Sequence, residues 1–112
     1  MTGFRRGSVV LVSFVFTDES GSKLRPALVV SSASYHRGRR QAIVAAITSN
    51  VRRRLAGDHL LSTWKEAGLL FPSVVTGILR TIERPMVRRR LGSVGGADLE
   101  AFERELRTSL DL

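Results

Sequence analysis

Thr17-Asp18-Glu19-Ser20-Gly21-Ser22-Lys23-Leu24-Arg25-Pro26-Ala27-Leu28-Val29-Val30 runs from turn chemistry straight into an unbroken apolar segment. Asp, Ser and Gly supply turn geometry in the first half. The second half is short, apolar and β-branched at its end, the composition of a strand. Pro26 is expected at the first position of that strand, Pro26–Ser31, because it cannot donate a ladder hydrogen bond deeper in. Arg25 is thereby carried to the rim of the core. A guanidinium is permanently charged and suited to bidentate phosphate contact, so a phosphate-handling site is expected there.

The same alternation of short apolar runs and turns extends outward in both directions. Ser8–Phe14 and Gln41–Thr48 read as strands, Thr17–Leu24 as a loop and Ala33–Arg40 as a basic connection. Asp58–Leu61, Ser73–Val75 and Gly77–Arg84 read as short strands. Ser62–Gly68 reads as one helical turn with a glycine stop. Pro85 opens a turn or short helix through Arg90, and Gly92–Gly96 is a break. Ala97–Leu110 is the convincing helix: Leu99, Phe102, Leu106 and Leu110 recur at helical spacing, and Asp98 is placed to favour its N-terminus. Many short strands with one terminal helix predict a mostly β fold, a compact barrel or curved sheet, as a single domain over residues 1–112.

At 112 residues, with 43% hydrophobic content, the chain is long enough for one small core. It has no cysteine, so disulfides and thiolate metal sites are excluded. No apolar run approaches the length of a transmembrane helix, and a cytoplasmic protein is expected. The net charge is +8. Residues 97–112 carry −3, which leaves about +11 on the rest, and sixteen of the eighteen cations are Arg. A surplus of that size favours a polyanionic partner.

Other candidate chemistry is thin. His36 and His59 show no metal-ligand spacing and read as surface or loop residues. Asp18 and Glu19 read as a solvated turn. No phosphate-cradling glycine motif is present. No metal or cofactor is expected. Thr48-Ser49-Asn50 is more informative: three small polar side chains follow an apolar strand and are able to bond a phosphate or a base edge. On composition alone an ordinary strand-ending turn is the favoured reading of them.

Taken in order, several segments resemble the MazF/PemK family of toxin endoribonucleases. They are Arg6-Gly7-Ser8-Val9-Val10-Leu11-Val12-Ser13-Phe14, Gly21-Ser22-Lys23-Leu24-Arg25-Pro26-Ala27-Leu28-Val29-Val30-Ser31 and Ile47-Thr48-Ser49-Asn50. Trp64-Lys65-Glu66-Ala67-Gly68-Leu69, Pro72-Ser73-Val74-Val75, Thr81-Ile82 and Leu91-Gly92 follow. The resemblance implies an SH3-like small β-barrel with a C-terminal helix, working as a homodimer. It implies metal-independent, sequence-selective cleavage of single-stranded RNA and neutralisation by a cognate antitoxin, expected to be acidic, with DNA contacted only through the antitoxin complex. Arg25 and Thr48 take the catalytic positions. The loop before Arg25 gates RNA entry. Glu19, Ser20, Gly21, Ser22, Lys23, Pro26, Ser49, Asn50 and Arg52 are the candidate substrate contacts.

Four positions depart from the family pattern: Ser8 where members often have Asp, Val15 where many have the Pro of a Phe-Pro-Phe-like piece, Lys23 as the nearest counterpart of an acid that a subset carries in the loop, and Thr76 where many carry a cation. They leave the general base and the RNA sequence unassigned. Two other readings stand beside the nuclease. One is a barrel toxin that jams a protein target such as DNA gyrase. The other is a plain basic nucleic-acid-binding barrel, which the small aromatic supply argues against.

Overall fold

A computed structural model describes residues 3–15 and 21–112. Six strands form one antiparallel sheet: β1 (Ser8–Val15), β2 (Ser22–Val29), β3 (Gln41–Thr48), β4 (His59–Leu60), β5 (Val74–Glu83) and β6 (Val87–Ser93). Two helices accompany them, the single turn α1 (Ala33–His36) and α2 (Gly96–Leu110). The strand order is β4-β5-β3-β2-β1-β6.

That order requires curling. β5 and β6 stand four places apart in the sheet, yet only the 3₁₀ turn Arg84–Met86 joins them. The sheet therefore wraps around an inner core of Val10, Val12, Phe14, Ala27, Val29, Val44, Ile82 and Val87. This is the small barrel-like fold that the sequence predicts. The outer face is buried as well: Val9, Leu28, Ala45, Ile47 and Val75 pack under Phe102 of α2 and under Leu61 and Ala67 of the connecting segment. Burial on both faces explains why β1, β2 and β3 read as continuous apolar runs without alternation.

Several boundaries differ from the sequence expectation, each for a local reason. β2 begins at Ser22, so Ser22–Leu24 belong to a strand and not to the loop. Pro26 is the fifth residue of that strand. The two short strands expected around Thr76 are one strand, β5, with a register shift opposite Ala45 and Ile47. The buried Thr76 fills that irregularity: its hydroxyl donates to Ala46 O at 2.8 Å and accepts from Ile78 N at 3.2 Å. Arg88, Arg89 and Arg90 lie on edge strand β6 instead of in a turn. An edge strand tolerates cations because one side of its ladder faces solvent.

Both histidines are more engaged than a surface reading allows. His36 ends α1, with its Nε2 2.5 Å from the buried Ser31 Oγ. Burial and the nearby Arg84 charge lower its pKa. His59 lies on β4 and bonds Asp98 Oδ1 at 2.8 Å. Asp98 is 3% exposed and does not cap α2, whose N-cap is Gly95. It accepts instead from Ser62 N, Thr63 N and Thr63 Oγ1, at 2.5 to 3.1 Å. Burial alone would raise this carboxyl, but those hydrogen bonds hold it down at about 2. The network fastens the start of α2 to the segment that leads into residues 68–73.

That segment lies directly on β6. Gly68 has φ +85°, and a Cβ there would run into the Leu91 carbonyl. A Cβ on Gly92 would meet Ala67 C at 2.6 Å. The two glycines allow backbone to touch backbone. This packing closes one wall of the site described next.

Candidate active site

In the β2–β3 ladder, Ala27 pairs with Ala46, Leu28 with Ala45 and Val29 with Val44. The same register carried two residues on sets Pro26 across from Ile47 and Arg25 across from Thr48. Pairing stops before it reaches them, and the chemistry of Pro26 explains why. Gly7 N donates to Val29 O at 2.9 Å, and Val30 N donates to Ile43 O at 3.0 Å. Along β2, odd-numbered backbone groups therefore face β1 and even-numbered groups face β3. Pro26 falls on the β3 side and has no N–H to give. β2 and β3 part at this point.

A cleft of about 610 Å³ opens at the fork. Arg25 and Pro26 line it from β2, Ile47, Thr48 and Ser49 from β3 and its end, and Leu11 from β1. Gly68, Leu69, Leu70, Phe71 and Ser73 form another wall, and Arg89 and Leu91 of β6 complete it. The neighbouring ladders agree with this arrangement, since Leu11 pairs with Pro26 on one side and with Arg89 on the other.

Thr48 is oriented by its own turn. Its Oγ1 accepts from Asn50 N at 3.1 Å, which leaves the hydroxyl proton free to donate into the cleft. Asn50 Oδ1 accepts from Arg52 N at 3.3 Å. Asn50 and Arg52 thus shape the Thr48 turn without lining the cleft. Arg25 and Arg89 have no hydrogen-bond, ion-pair or ring partner among the described residues. Other arginines are occupied: Arg6 pairs with Glu103 at 3.0 Å, Arg90 bonds Ser93 Oγ at 2.6 Å, and Arg39 lies 4.0 Å from the Tyr35 ring centroid. Among the described residues, the cleft therefore holds two guanidiniums whose donors are open to an anion. No carboxylate or imidazole is among the described residues that line it.

Of the sequence candidates, Arg25, Pro26, Thr48 and Ser49 meet at this cleft. Gly21 just precedes β2 and Lys23 lies near its start, and neither lines the cleft; Ser22 opens β2, and Glu19 and Ser20 fall outside the described residues. Sequence reasoning missed Arg89 and the Leu69–Phe71 wall. The only sequence signal for Arg89 was its membership of a cationic run.

Residues 5–110 match the family of PemK-like, MazF-like toxins of type II toxin–antitoxin systems. The chain belongs to that family. Among solved structures, this MazF-like toxin is similar to a MazE–MazF complex from Deinococcus radiodurans, with TM-score 0.80 and 19% identity over 97% of this chain and 96% of that one. It is similar to an endoribonuclease from a mycobacterial species in complex with its cognate antitoxin, with TM-score 0.77 and 21% identity over 98% and 97%. Mycobacterium tuberculosis toxin MazF-mt6 aligns with TM-score 0.76 and 24% identity over 94% and 97%. No curated protein matches the sequence. No helix among the described residues is long and apolar enough to cross a membrane.

Proposed function

We propose that this MazF-like toxin is a metal-independent endoribonuclease that cleaves single-stranded RNA in a sequence-selective way. The observation that carries the reading is the fork itself: Arg25 and Thr48, just beyond the last β2–β3 pair, both line a cleft whose guanidiniums are unpaired among the described residues.

RNA brings its own nucleophile. The 2′-hydroxyl oxygen attacks the adjacent phosphorus and loses its proton to water. The bond from phosphorus to the 5′-oxygen breaks, which leaves a 2′,3′-cyclic phosphate and a 5′-hydroxyl. Arg25 holds the phosphoryl oxygens as negative charge builds and gives a proton to the departing 5′-oxygen, regaining one from solvent. Thr48 donates its hydroxyl to a phosphoryl oxygen. Arg25 does not act as general base, since its guanidinium is protonated before the reaction begins and has no free lone pair to accept a proton. An unpaired strand is required because in-line attack needs a splayed backbone and base edges are readable only when free.

In the same reading the toxin works as a homodimer, and an acidic antitoxin neutralises it by covering this cationic cleft. Contact with DNA arises only through that complex. Digestion of a long RNA with EDTA present is the test. Wild type is expected to cut, and Arg25→Ala is expected to keep its circular dichroism spectrum while losing about 10²–10³ in rate. Arg25→Ala cutting at the wild-type rate would remove Arg25 from the site. No cleavage by wild type, with inhibition of DNA supercoiling instead, would replace the nuclease by a gyrase poison.

A further inference from the structure

One aromatic ring has no place in the packing. Phe14 and Phe102 are buried, and Trp64 and Phe4 pack against the two cores. Tyr35 stacks with Arg39. Phe71 is 63% exposed, the only exposed aromatic among the described residues, and it lines the cleft. Its neighbour Leu70 is 84% exposed and lines the cleft too. The main chain beneath them is held: Leu69 N donates to Trp64 O at 3.0 Å, and Ser73 Oγ donates to Phe71 O at 2.8 Å.

The cleft thus has two chemistries. Arg25, Arg89, Thr48 and Ser49 offer cations and hydroxyls, while Leu69–Phe71 offer an apolar wall. A nucleotide in a single strand has the matching pair, an anionic phosphate and a flat base with apolar faces. We propose that Phe71 is a specificity-determining residue whose ring stacks on the unpaired base beside the phosphate held by Arg25. This rests on the nuclease reading for the identity of that phosphate. Two adjacent side chains are a small patch for a protein–protein interface, and their continuity with guanidiniums unpaired among the described residues favours a nucleotide. Stacking discriminates by strength of overlap rather than by hydrogen bonding, so a purine is favoured at this position.

The test uses short RNAs in which every 2′-hydroxyl is replaced by fluorine, so that they bind without being cut by the proposed route. 2-Aminopurine is placed at each position in turn. Wild type is expected to quench its fluorescence strongly at one position. Phe71→Ala abolishes that quenching and weakens binding by roughly ten- to a hundred-fold, and Phe71→Trp restores both. The readout needs no catalysis. Phe71-dependent quenching by a protein that does not cut ordinary RNA would defeat the nuclease reading and keep the stacking assignment. Quenching that is absent at every position, or unchanged in Phe71→Ala, overturns the assignment. So does a Phe71→Ala protein that keeps the quenching but changes its oligomeric state or its hold on an antitoxin, because the ring then belongs to a protein interface.

Discussion

Asp98 concentrates more hydrogen bonding than any other described side chain, and its consequence is an acid limit. The folded-state pKa of about 2 lies below the ordinary 3.8. A depressed carboxylate contributes stability that is present above the unfolded pKa and is lost as the pH falls through the folded one. A shift of this size is worth about 2 kcal/mol at neutral pH, and its loss is confined to the window between about pH 4 and pH 2. Asp98→Asn is expected to lower stability at neutral pH and to flatten its dependence on pH across that window. Urea unfolding at a series of pH values checks this, and an unchanged slope would show that the carboxylate is not the group responsible. Sequence spacing placed Asp98 correctly in the first turn of α2 but did not show that its hydrogen bonds go to another segment. Its partners Ser62 and Thr63 are more than thirty residues away, and no local pattern announces them.

The fork between β2 and β3 shows how much one missing donor shapes an element. Proline was legible as a stop on pairing; the place of the stop was not. A residue without an N–H is tolerated wherever no partner strand waits for it, and β2 meets β3 only from Ala27 onward. The strand could therefore begin earlier, at Ser22, with β1 as its sole neighbour over that stretch. Pro26→Ala is expected to restore a donor aimed at Ile47, extend the ladder and narrow the cleft. The amide gained by this substitution should resist hydrogen exchange, and RNA cleavage should fall while the fold is retained. Rapid exchange at that amide would mean that the fork has another cause. β6 was misread for a related reason: its burial falls on Val87 and partly on Leu91–Ser93, so three arginines in a row hide the strand from any search for alternation.

Across the whole molecule, a formal charge of +8 overstates what is available to a ligand. Each phosphate neutralised by a free cation steepens the fall of affinity with salt by about 0.7 in log–log slope for a single strand. Arg89→Ala should therefore flatten the slope by about that amount. Arg6→Ala should leave it nearly unchanged, since its guanidinium is engaged by Glu103 and by Val30 O. Fluorescence anisotropy with the fluorinated RNAs over a salt series measures both, and equal slopes for the two variants would defeat the distinction. The composition raised the expectation of a polyanion partner, and the ordered segments revealed the family. The cleft as a whole was not readable, because Arg25, Phe71 and Arg89 come to one cleft only after the sheet has curled.

The Asp98 network also sets a sequence of events. A ribosome makes all six strands, Arg25 and Thr48 included, before it makes α2. Until α2 emerges, His59, Ser62 and Thr63 lack their acceptor, and the outer face of the sheet lacks Phe102. A nascent chain thus carries the described cleft residues while the segment leading into Gly68–Ser73 still lacks its tie to α2. For a protein whose activity would destroy the very message being read, late completion of the fold separates manufacture from action.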